Sequence, residues 1–320
     1  MFDSVLVPLD GSLLAECVLS HAVAIARAFE SKVILLRVLD KNQTGEKTQL
    51  FDLVNWQINK TGAKLYLEKI SDRLQKTGLR IETAVLEGLV AESITEYAQS
   101  HGTKLIILSS HGRSGLSQWG LSSITQKIIF SAPTSVLIVR ARQPAVSESL
   151  ERQYAKIIVP LDGSRRAENV LPMVSLLARF HQSQISIVHV VKTPEMARQM
   201  PLAREDVELS ERIVARNREE AIRYLDQVRY HSPLEGIDLQ THLLISDNAA
   251  AVLHDMVDQE HIDMVALSAH GYSGNNQWPY GSMVNNFILY SKVPLLIVQD
   301  LPAKEEPAEV EMAPREHIER

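Results

Sequence analysis

The sequence of 320 residues contains one cysteine, Cys17, which excludes an intramolecular disulfide and a metal site built from several cysteines. It also lacks an apolar run long enough to cross a membrane, and its start lacks the pattern of a signal peptide. We therefore expect a cytoplasmic protein that does not enter a membrane. An excess of basic residues is missing too, because the net charge is −6, so we expect no nucleic-acid partner.

Two familiar phosphate-binding strings are absent, Gly-x-x-x-x-Gly-Lys-(Ser/Thr) and Gly-x-Gly-x-x-Gly. No nucleophile with an adjacent base can be recognised either. We therefore predict no catalytic residues and no metal site.

An internal repeat is the most informative feature that is present. The string Val-Pro-Leu-Asp-Gly-Ser occurs at residues 7–12 and again at 159–164, which places Asp10 and Asp162 152 residues apart. This separation is about the size of one domain, so the repeat predicts a duplicated domain. We predict a first domain over 1–141, a linker over 142–153, a second domain over 154–300 and a disordered acidic tail over 301–320.

Each half alternates apolar strands with helical patterns, which is typical of an α/β fold with a parallel sheet. The pattern predicts two doubly wound, open, five-stranded, Rossmann-like sheets. The predicted strands are 4–9, 32–38, 79–86, 104–108 and 135–139, then 156–161, 185–191, 237–244, 264–267 and 294–298. The predicted helices are 12–29, 50–76, 92–100 and 121–130, then 167–180, 207–230, 249–260 and 282–290. The fifth strand of each half is flat and apolar and lies at a predicted sheet edge. The unpaired backbone groups of such an edge need to be covered by another strand or element. We expect these strands to pair antiparallel and form a pseudo-dimer within the chain.

The loop after the fourth strand carries a second repeat. Ser-x-His-Gly-x-Ser-Gly begins at Ser109 and again at Ser268, and a tryptophan follows at the same later position. Glycines let a backbone approach a ligand closely, and the first amides of the following helix suit a phosphate group. His111 and His270 each stand alone in their loop, so a hydrogen-bonded loop histidine is favoured over a metal ligand.

This combination resembles the universal stress protein family, over nearly the whole chain except the linker and tail. The resemblance implies a fold like that of the adenine-nucleotide alpha-hydrolases. Nucleotide-binding members of that family carry Gly-x-x-Gly, nine residues, then Gly-(Ser/Thr) after strand four. They also carry an aspartate after strand one and a valine at the end of strand two. The resemblance therefore implies that this chain binds ATP, with or without Mg²⁺, and we expect any ATP hydrolysis to be weak.

Placed on this sequence, the family pattern identifies one candidate site in each half. The second half departs from it only at the first glycine, which is serine, whereas the first half has serine in place of two of the three glycines. We therefore expect the second site to be the better one. The predicted nucleotide-binding residues of the second half are Pro160, Leu161, Asp162, Val190, Ser268, Gly271, Gly281, Ser282 and Met283. Those of the first half are Pro8, Leu9, Asp10, Val38, Ser109, Gly112, Ser122 and Ser123.

Other interpretations stay open at this point. The serine substitutions are compatible with an interaction module that binds no nucleotide, or that binds a different small ligand at degenerate sites. Asp10 and Asp162 are also typical of a turn, and Ser123 and Ser282 could cap helices. An enzyme of the adenylating or ATP pyrophosphatase type is disfavoured, because the turn after strand one is Leu-Asp-Gly-Ser. The expected partners are an adenine nucleotide and proteins of unknown identity, and a homodimer of the tandem chain is left open.

Overall fold

The computed structural model describes residues 2–40, 49–112, 121–141, 149–194, 204–230, 233–272 and 279–300. The predicted tail, 301–320, and most of the predicted linker, 142–148, lie outside these ranges, and so do Trp119 and Trp278. The predicted domain boundaries therefore stay predictions.

Strands and helices alternate in both halves, because apolar runs of strand length are separated by segments with helical periodicity. The strands of the first half are β1 (Ser4–Pro8), β2 (Lys32–Asp40), β3 (Ile81–Gly88), β4 (Leu105–Ser109) and β5 (Ser135–Val139). Its helices are α1 (Val18–Phe29), α2 (Gln49–Gln75), α3 (Val90–Ser100) and α4 (Ser123–Ser131). The strands of the second half are β6 (Lys156–Pro160), β7 (Gln184–Lys192), β8 (Asp238–Ser246), β9 (Met264–Ser268) and β10 (Leu295–Val298). Its helices are α5 (Arg165–Glu168), α6 (Leu171–His181), α7 (Arg204–Tyr230), α8 (Ala249–Gln259) and α9 (Ser282–Tyr290).

The ten strands form one sheet in the order β3-β2-β1-β4-β5-β10-β9-β6-β7-β8. Within each half all neighbouring strands are parallel, and the order reverses between the first and fourth strands. In open α/β sheets ligands bind at that reversal, beyond the carboxyl ends of the strands. The prediction of two doubly wound, Rossmann-like halves is confirmed.

The two halves join through β5 and β10, which pair antiparallel with Leu137 opposite Leu296. Every residue of both strands is buried, so each strand covers the apolar edge of the other. The predicted intrachain pseudo-dimer is confirmed.

Helices cover both faces of the sheet. One face packs against α1, α2, α5, α6 and α7, and the opposite face packs against α3, α4, α8 and α9. The halves also meet outside the sheet, where the Tyr280 hydroxyl donates a hydrogen bond to the carbonyl oxygen of Ile129 at 2.9 Å.

Several predicted boundaries were wrong, most clearly at the first helix of each half. The continuous helix predicted over 12–29 is a 3-10 turn, Ala15–Cys17, followed by α1. The helix predicted over 167–180 is divided into α5 and α6, and Pro172 stands in the first turn of α6. Proline lacks the N–H that a continuing helix needs, so a new helix begins there instead.

Tyr154, just before β6, is fully buried between the halves. Its hydroxyl lies 2.7 Å from Nδ1 of His21 on α1, and its ring packs edge-on against His181 of α6. Burial lowers the pKa of His21 to about 3, and the Arg152 guanidinium adds to the effect. His21 is therefore neutral, and its hydrogen bond with the Tyr154 hydroxyl ties the start of the second half to the first.

Candidate functional site

The predicted site residues of each half meet at the carboxyl ends of its first and fourth strands. Asp10 follows β1 and Gly112 follows β4, whereas Asp162 follows β6 and Gly271 follows β9. The strand-four loops are described as far as Gly112 and Tyr272 and again from Leu121 and Pro279, so their central residues lie outside the described ranges.

The aspartate and the first retained glycine of each half are in direct contact. A Cβ atom added at Gly271 would lie 2.1 Å from Oδ2 of Asp162, and one added at Gly112 would lie 2.0 Å from Oδ2 of Asp10. Real Cβ atoms do not approach an oxygen so closely, so each glycine is required by the carboxylate beside it. The contact with the carboxylate is by itself a reason for glycine at these two positions.

The carboxylate of Asp162 connects two loops. Its Oδ1 accepts the backbone N–H of Ser164 at 3.0 Å, and its Oδ2 accepts that of Tyr272 at 2.6 Å. Asp10 accepts the N–H of Ser12 at 2.8 Å in the same way. The turn role that the sequence left open is therefore present in both halves, and a ligand-binding role of the aspartates stays a prediction.

The two helices that follow the strand-four loops begin differently. Ser122 caps α4, because its Oγ accepts the backbone N–H of Thr125 at 3.1 Å. Gly281 occupies the same position before α9 and has no side chain with which to cap it. The expectation that Ser123 and Ser282 could cap the helices was wrong, since each is the first helical residue and follows the cap.

Gly281 is not required by the backbone or by its neighbours. Its φ is −70°, and an added Cβ would come no closer than 3.7 Å to any atom, which is ordinary contact. Because glycine has no side chain, the first backbone amides of α9 carry no side-chain cap. Uncapped amides at a helix start suit an anion.

The serines at the strand-four ends also differ. Ser109 donates to the carbonyl oxygen of His111 at 2.6 Å. Ser268 is buried, and its hydroxyl has no hydrogen-bond partner among the described residues. A buried hydroxyl without a partner costs free energy, so the second half keeps a polar group that a ligand could satisfy.

A buried ionic cluster, which the sequence did not reveal, supports the loop of the second half. Nδ1 of His270 lies 2.7 Å from Oδ1 of Asp300, and Nε of Arg166 lies 2.6 Å from Oδ2 of the same carboxylate. In the first half, Nδ1 of His111 instead lies 3.1 Å from the Ser110 hydroxyl. Both histidines are thus hydrogen-bonded loop residues. The one sequence signal for Asp300 was its position two residues after the last apolar strand.

Each cleft has a tyrosine wall that sequence reasoning also missed. The Tyr66 hydroxyl donates to Glu16 at 3.2 Å, and Arg37 lies over the Tyr66 ring at 5.3 Å. Burial raises the pKa of Tyr66, and the carboxylates of Glu16 and Asp10 raise it further. The phenol therefore stays protonated at neutral pH.

In the second half Tyr224 takes this place and packs against His189, with ring centroids 5.7 Å apart. Burial lowers the pKa of His189, so this residue carries no charge at neutral pH, whereas Arg37 beside Tyr66 is a cation. The two clefts therefore differ in this cation as well as in backbone.

The other predicted site residues are spread over both faces of the sheet. Leu9 and Leu161 are buried in the core, so only their backbones are available to a ligand. Val38, Val190 and Met283 are half-buried against the core of the opposite face. Pro8 and Pro160 end their strands and are half-buried.

Comparison with known proteins identifies the family. The profile described as the universal stress protein family matches residues 1–140 and 153–299. Universal stress protein MJ0531 of Methanocaldococcus jannaschii is 28% identical over 142 residues, which cover 44% of this chain and 83% of that protein. Universal stress protein YxiE of Bacillus subtilis is 30% identical over 149 residues, which cover 44% of this chain and all of that protein.

A solved structure matches the whole tandem arrangement. PA1789 of Pseudomonas aeruginosa, described as functionally unknown, covers 93% of this chain and 93% of its own, with a TM-score of 0.66 and 16% identity. At that identity the likeness concerns the fold alone.

Proposed function

The chain belongs to the universal stress protein family, and on that premise we propose that it binds ATP or a related adenine nucleotide in the cleft of its second half. It would act as a nucleotide-responsive regulatory protein that works through protein partners. The proposed contacts are those of the family pattern. They are Pro160, Leu161, Asp162, Val190, Ser268, Gly271, Gly281, Ser282 and Met283.

The observation that carries the proposal is the uncapped start of α9. Gly281 leaves the first helical amides without a side-chain acceptor, and the positive end of the helix dipole favours a phosphate there. The Gly281 N–H donates a hydrogen bond to the carbonyl oxygen of Ala269 at 2.9 Å, which holds the strand-four loop close to this helix start. Mg²⁺ would accompany the nucleotide mainly through the phosphates and water, as is usual for that ion.

The first half is proposed as the weaker site. Ser122 already satisfies an amide of α4, and a phosphate would have to displace this cap, which is typically worth about 1 kcal/mol. Asp10, Val38, Ser109, Gly112 and Ser123 would otherwise offer the same kind of contacts.

The second candidate function is an interaction module without a nucleotide. The observation that favours it is the internal use of the aspartates, because both oxygens of Asp162 accept backbone N–H groups of the protein itself. Loops braced in this way can persist as a fixed surface for a protein partner.

Partners and location extend the proposal. No helix in the described part of the chain is long and apolar enough to cross a membrane. A cytoplasmic location, the absence of a nucleic-acid partner and a homodimer of the tandem chain stay predictions.

A reciprocal exchange of the helix caps tests the function. Calorimetric titration with ATP and Mg²⁺ should show binding to the native protein, about tenfold weaker in Gly281→Ser, a change the backbone accepts. Ser122→Gly should strengthen binding in the first half. An absence of ATP binding at millimolar concentration, with the native protein folded, would leave the interaction module as the function.

A further inference from the structure

A groove that neither predicted cleft includes lies on the seam between the halves. Its volume is about 440 Å³, and its walls come from α1, the end of β5, the α8–β9 turn and the residues before β10. Small-molecule sites commonly measure about 300–1,000 Å³. We call it the seam groove. None of the predicted nucleotide-binding residues lines it.

Basic side chains from three parts of the chain converge on the seam groove. Arg140 follows β5, Arg152 precedes β6 and Lys292 precedes β10. The lining contains only two carboxylates among its described residues, Asp258 and Asp263. Burial holds the pKa of His21 at about 3, so this histidine adds no charge at neutral pH. The lining thus carries a positive excess on a protein whose net charge is −6.

Both carboxylates of the lining are already engaged. Oδ2 of Asp258 lies 2.6 Å from Nζ of Lys292. Oδ2 of Asp263 accepts the backbone N–H groups of Ala155 and Lys156 at 2.8 and 3.0 Å.

Arg140 is engaged as well, because its Nη2 donates to the carbonyl oxygens of Phe287 and Ile288 at the end of α9. Burial lowers the pKa of Arg140 without making it neutral at physiological pH, because an arginine starts far above that range. Its charge therefore still acts on the groove.

Arg152 differs from the other two cations of the lining. Its Nε is buried and makes no hydrogen bond to any residue that the structure describes, and its guanidinium group lies over the Tyr154 ring at 5.9 Å. A buried donor on a charged group is costly when it is left unpaired. The Tyr154 hydroxyl is itself hydrogen-bonded to His21, so the ring beside the guanidinium group is fixed.

We propose that the seam groove is a binding site for a small oxyanion, a phosphate or carboxylate group, with Arg152 as its main ligand and Lys292 as the second cation. A guanidinium group presents paired N–H donors that match both kinds of oxyanion. The bound anion lies beside the Arg152 guanidinium group, accepts hydrogen bonds from its terminal N–H groups and offsets the positive excess. Because both halves contribute walls, the anion also bridges the two halves directly.

Calorimetric titration of the full-length protein at low salt, with pyrophosphate and separately with citrate, tests the site. We expect at least one of the two to bind, and Arg152→Gln to weaken that binding about tenfold or more. Preference for pyrophosphate would identify a phosphate ligand, and preference for citrate a carboxylate. Arg218→Gln, which removes an exposed arginine of α7, is the matched control and should leave binding unchanged.

Two further variants keep the result interpretable. Arg152→Lys preserves the charge and the aliphatic stem but removes the paired N–H donors of the guanidinium group, so it should weaken binding several-fold even if Arg152→Gln fails to fold. Gly281→Ser alters only the second nucleotide cleft and should leave seam binding unchanged. The proposal is overturned if neither anion binds at millimolar concentration, if Arg152→Lys binds like the native protein, or if Gly281→Ser alone abolishes binding.

Discussion

The carboxylate of Asp162 occupies the space in which a side chain of residue 271 would begin, 2.1 Å from the position of its Cβ atom. The same relationship holds between Asp10 and Gly112. The two most conspicuous residues of the repeated motifs are therefore complementary in shape, and each pair closes the reversal point of its half of the sheet.

Gly271→Ala should destabilise the protein by about 2–4 kcal/mol, because Asp162 must move and lose two charge-assisted hydrogen bonds. Gly281→Ala, in the same half, meets only ordinary contacts and should cost less than about 1 kcal/mol. Urea unfolding measures both. Adding Asp162→Ala to Gly271→Ala should recover part of the loss, and strictly additive costs would show that the two residues act independently.

Asp300→Asn should reduce the free energy of unfolding by about 2–4 kcal/mol. The carboxylate is fully buried and serves both His270 and Arg166, so its charge has no replacement. Asp258→Asn is the matched control, since that aspartate pairs with Lys292 on the surface and should contribute less than about 1 kcal/mol. Equal losses in the two variants would contradict a special role for the buried cluster.

Acidification should destabilise the protein through His21. Its pKa is about 3 in the folded state and near 6.5 when unfolded, so the unfolded chain binds the proton first as the pH falls. The contribution of neutral His21 to the free energy of unfolding is therefore complete at a pH above the unfolded-state pKa. It is lost progressively as the pH falls to 3. Between pH 7 and pH 5 the loss should be about 2 kcal/mol.

His21→Gln supplies the control for this pH dependence, because the glutamine side chain can form a hydrogen bond with the Tyr154 hydroxyl but does not titrate. Urea unfolding at pH 7 and pH 5 should show a flatter dependence in the variant. Some dependence should persist, since burial also lowers the pKa of His181. An identical slope in both proteins would assign the acid sensitivity to other groups.

The first half alone, residues 1–141, should form a homodimer. Val136, Leu137 and Ile138 are at most 1% exposed in the intact chain because β10 covers them, and isolation exposes this edge. Light scattering after gel filtration measures the mass, and Leu137→Lys should shift the half to monomer. A monomeric native half would mean that its edge needs no partner.

The sequence sufficed for the fold because the fold depends on local patterns. Continuous apolar strands, the repeated hexapeptide and the apolar fifth strands each act over a few residues, and they led to the two doubly wound halves and the antiparallel seam. The break at Pro172 was also visible in the sequence, but the apolar periodicity on both sides of it suggested a single helix.

The finer properties of the site depend on contacts between distant residues. His270, Asp300 and Arg166 come from three separate segments, and no spacing rule connects them. Tyr154 was placed only at a domain boundary, although it is fully buried between the halves. The contrast between Ser122 and Gly281 was visible as a substitution, but its physical meaning, a capped and an uncapped helix, required the backbone.

The two halves that join at β5 and β10 belong to one chain, so their sequences can differ, whereas two identical subunits must carry the same sequence. In a symmetric pair every inherited change appears in both sites at once, whereas here the first half can acquire Ser122 while the second retains Gly281. Because strands of the two halves run in opposite directions across the junction, their carboxyl ends and clefts open towards opposite ends of the molecule. A substitution at one end of the molecule can thus change one cleft and leave the other cleft as it was.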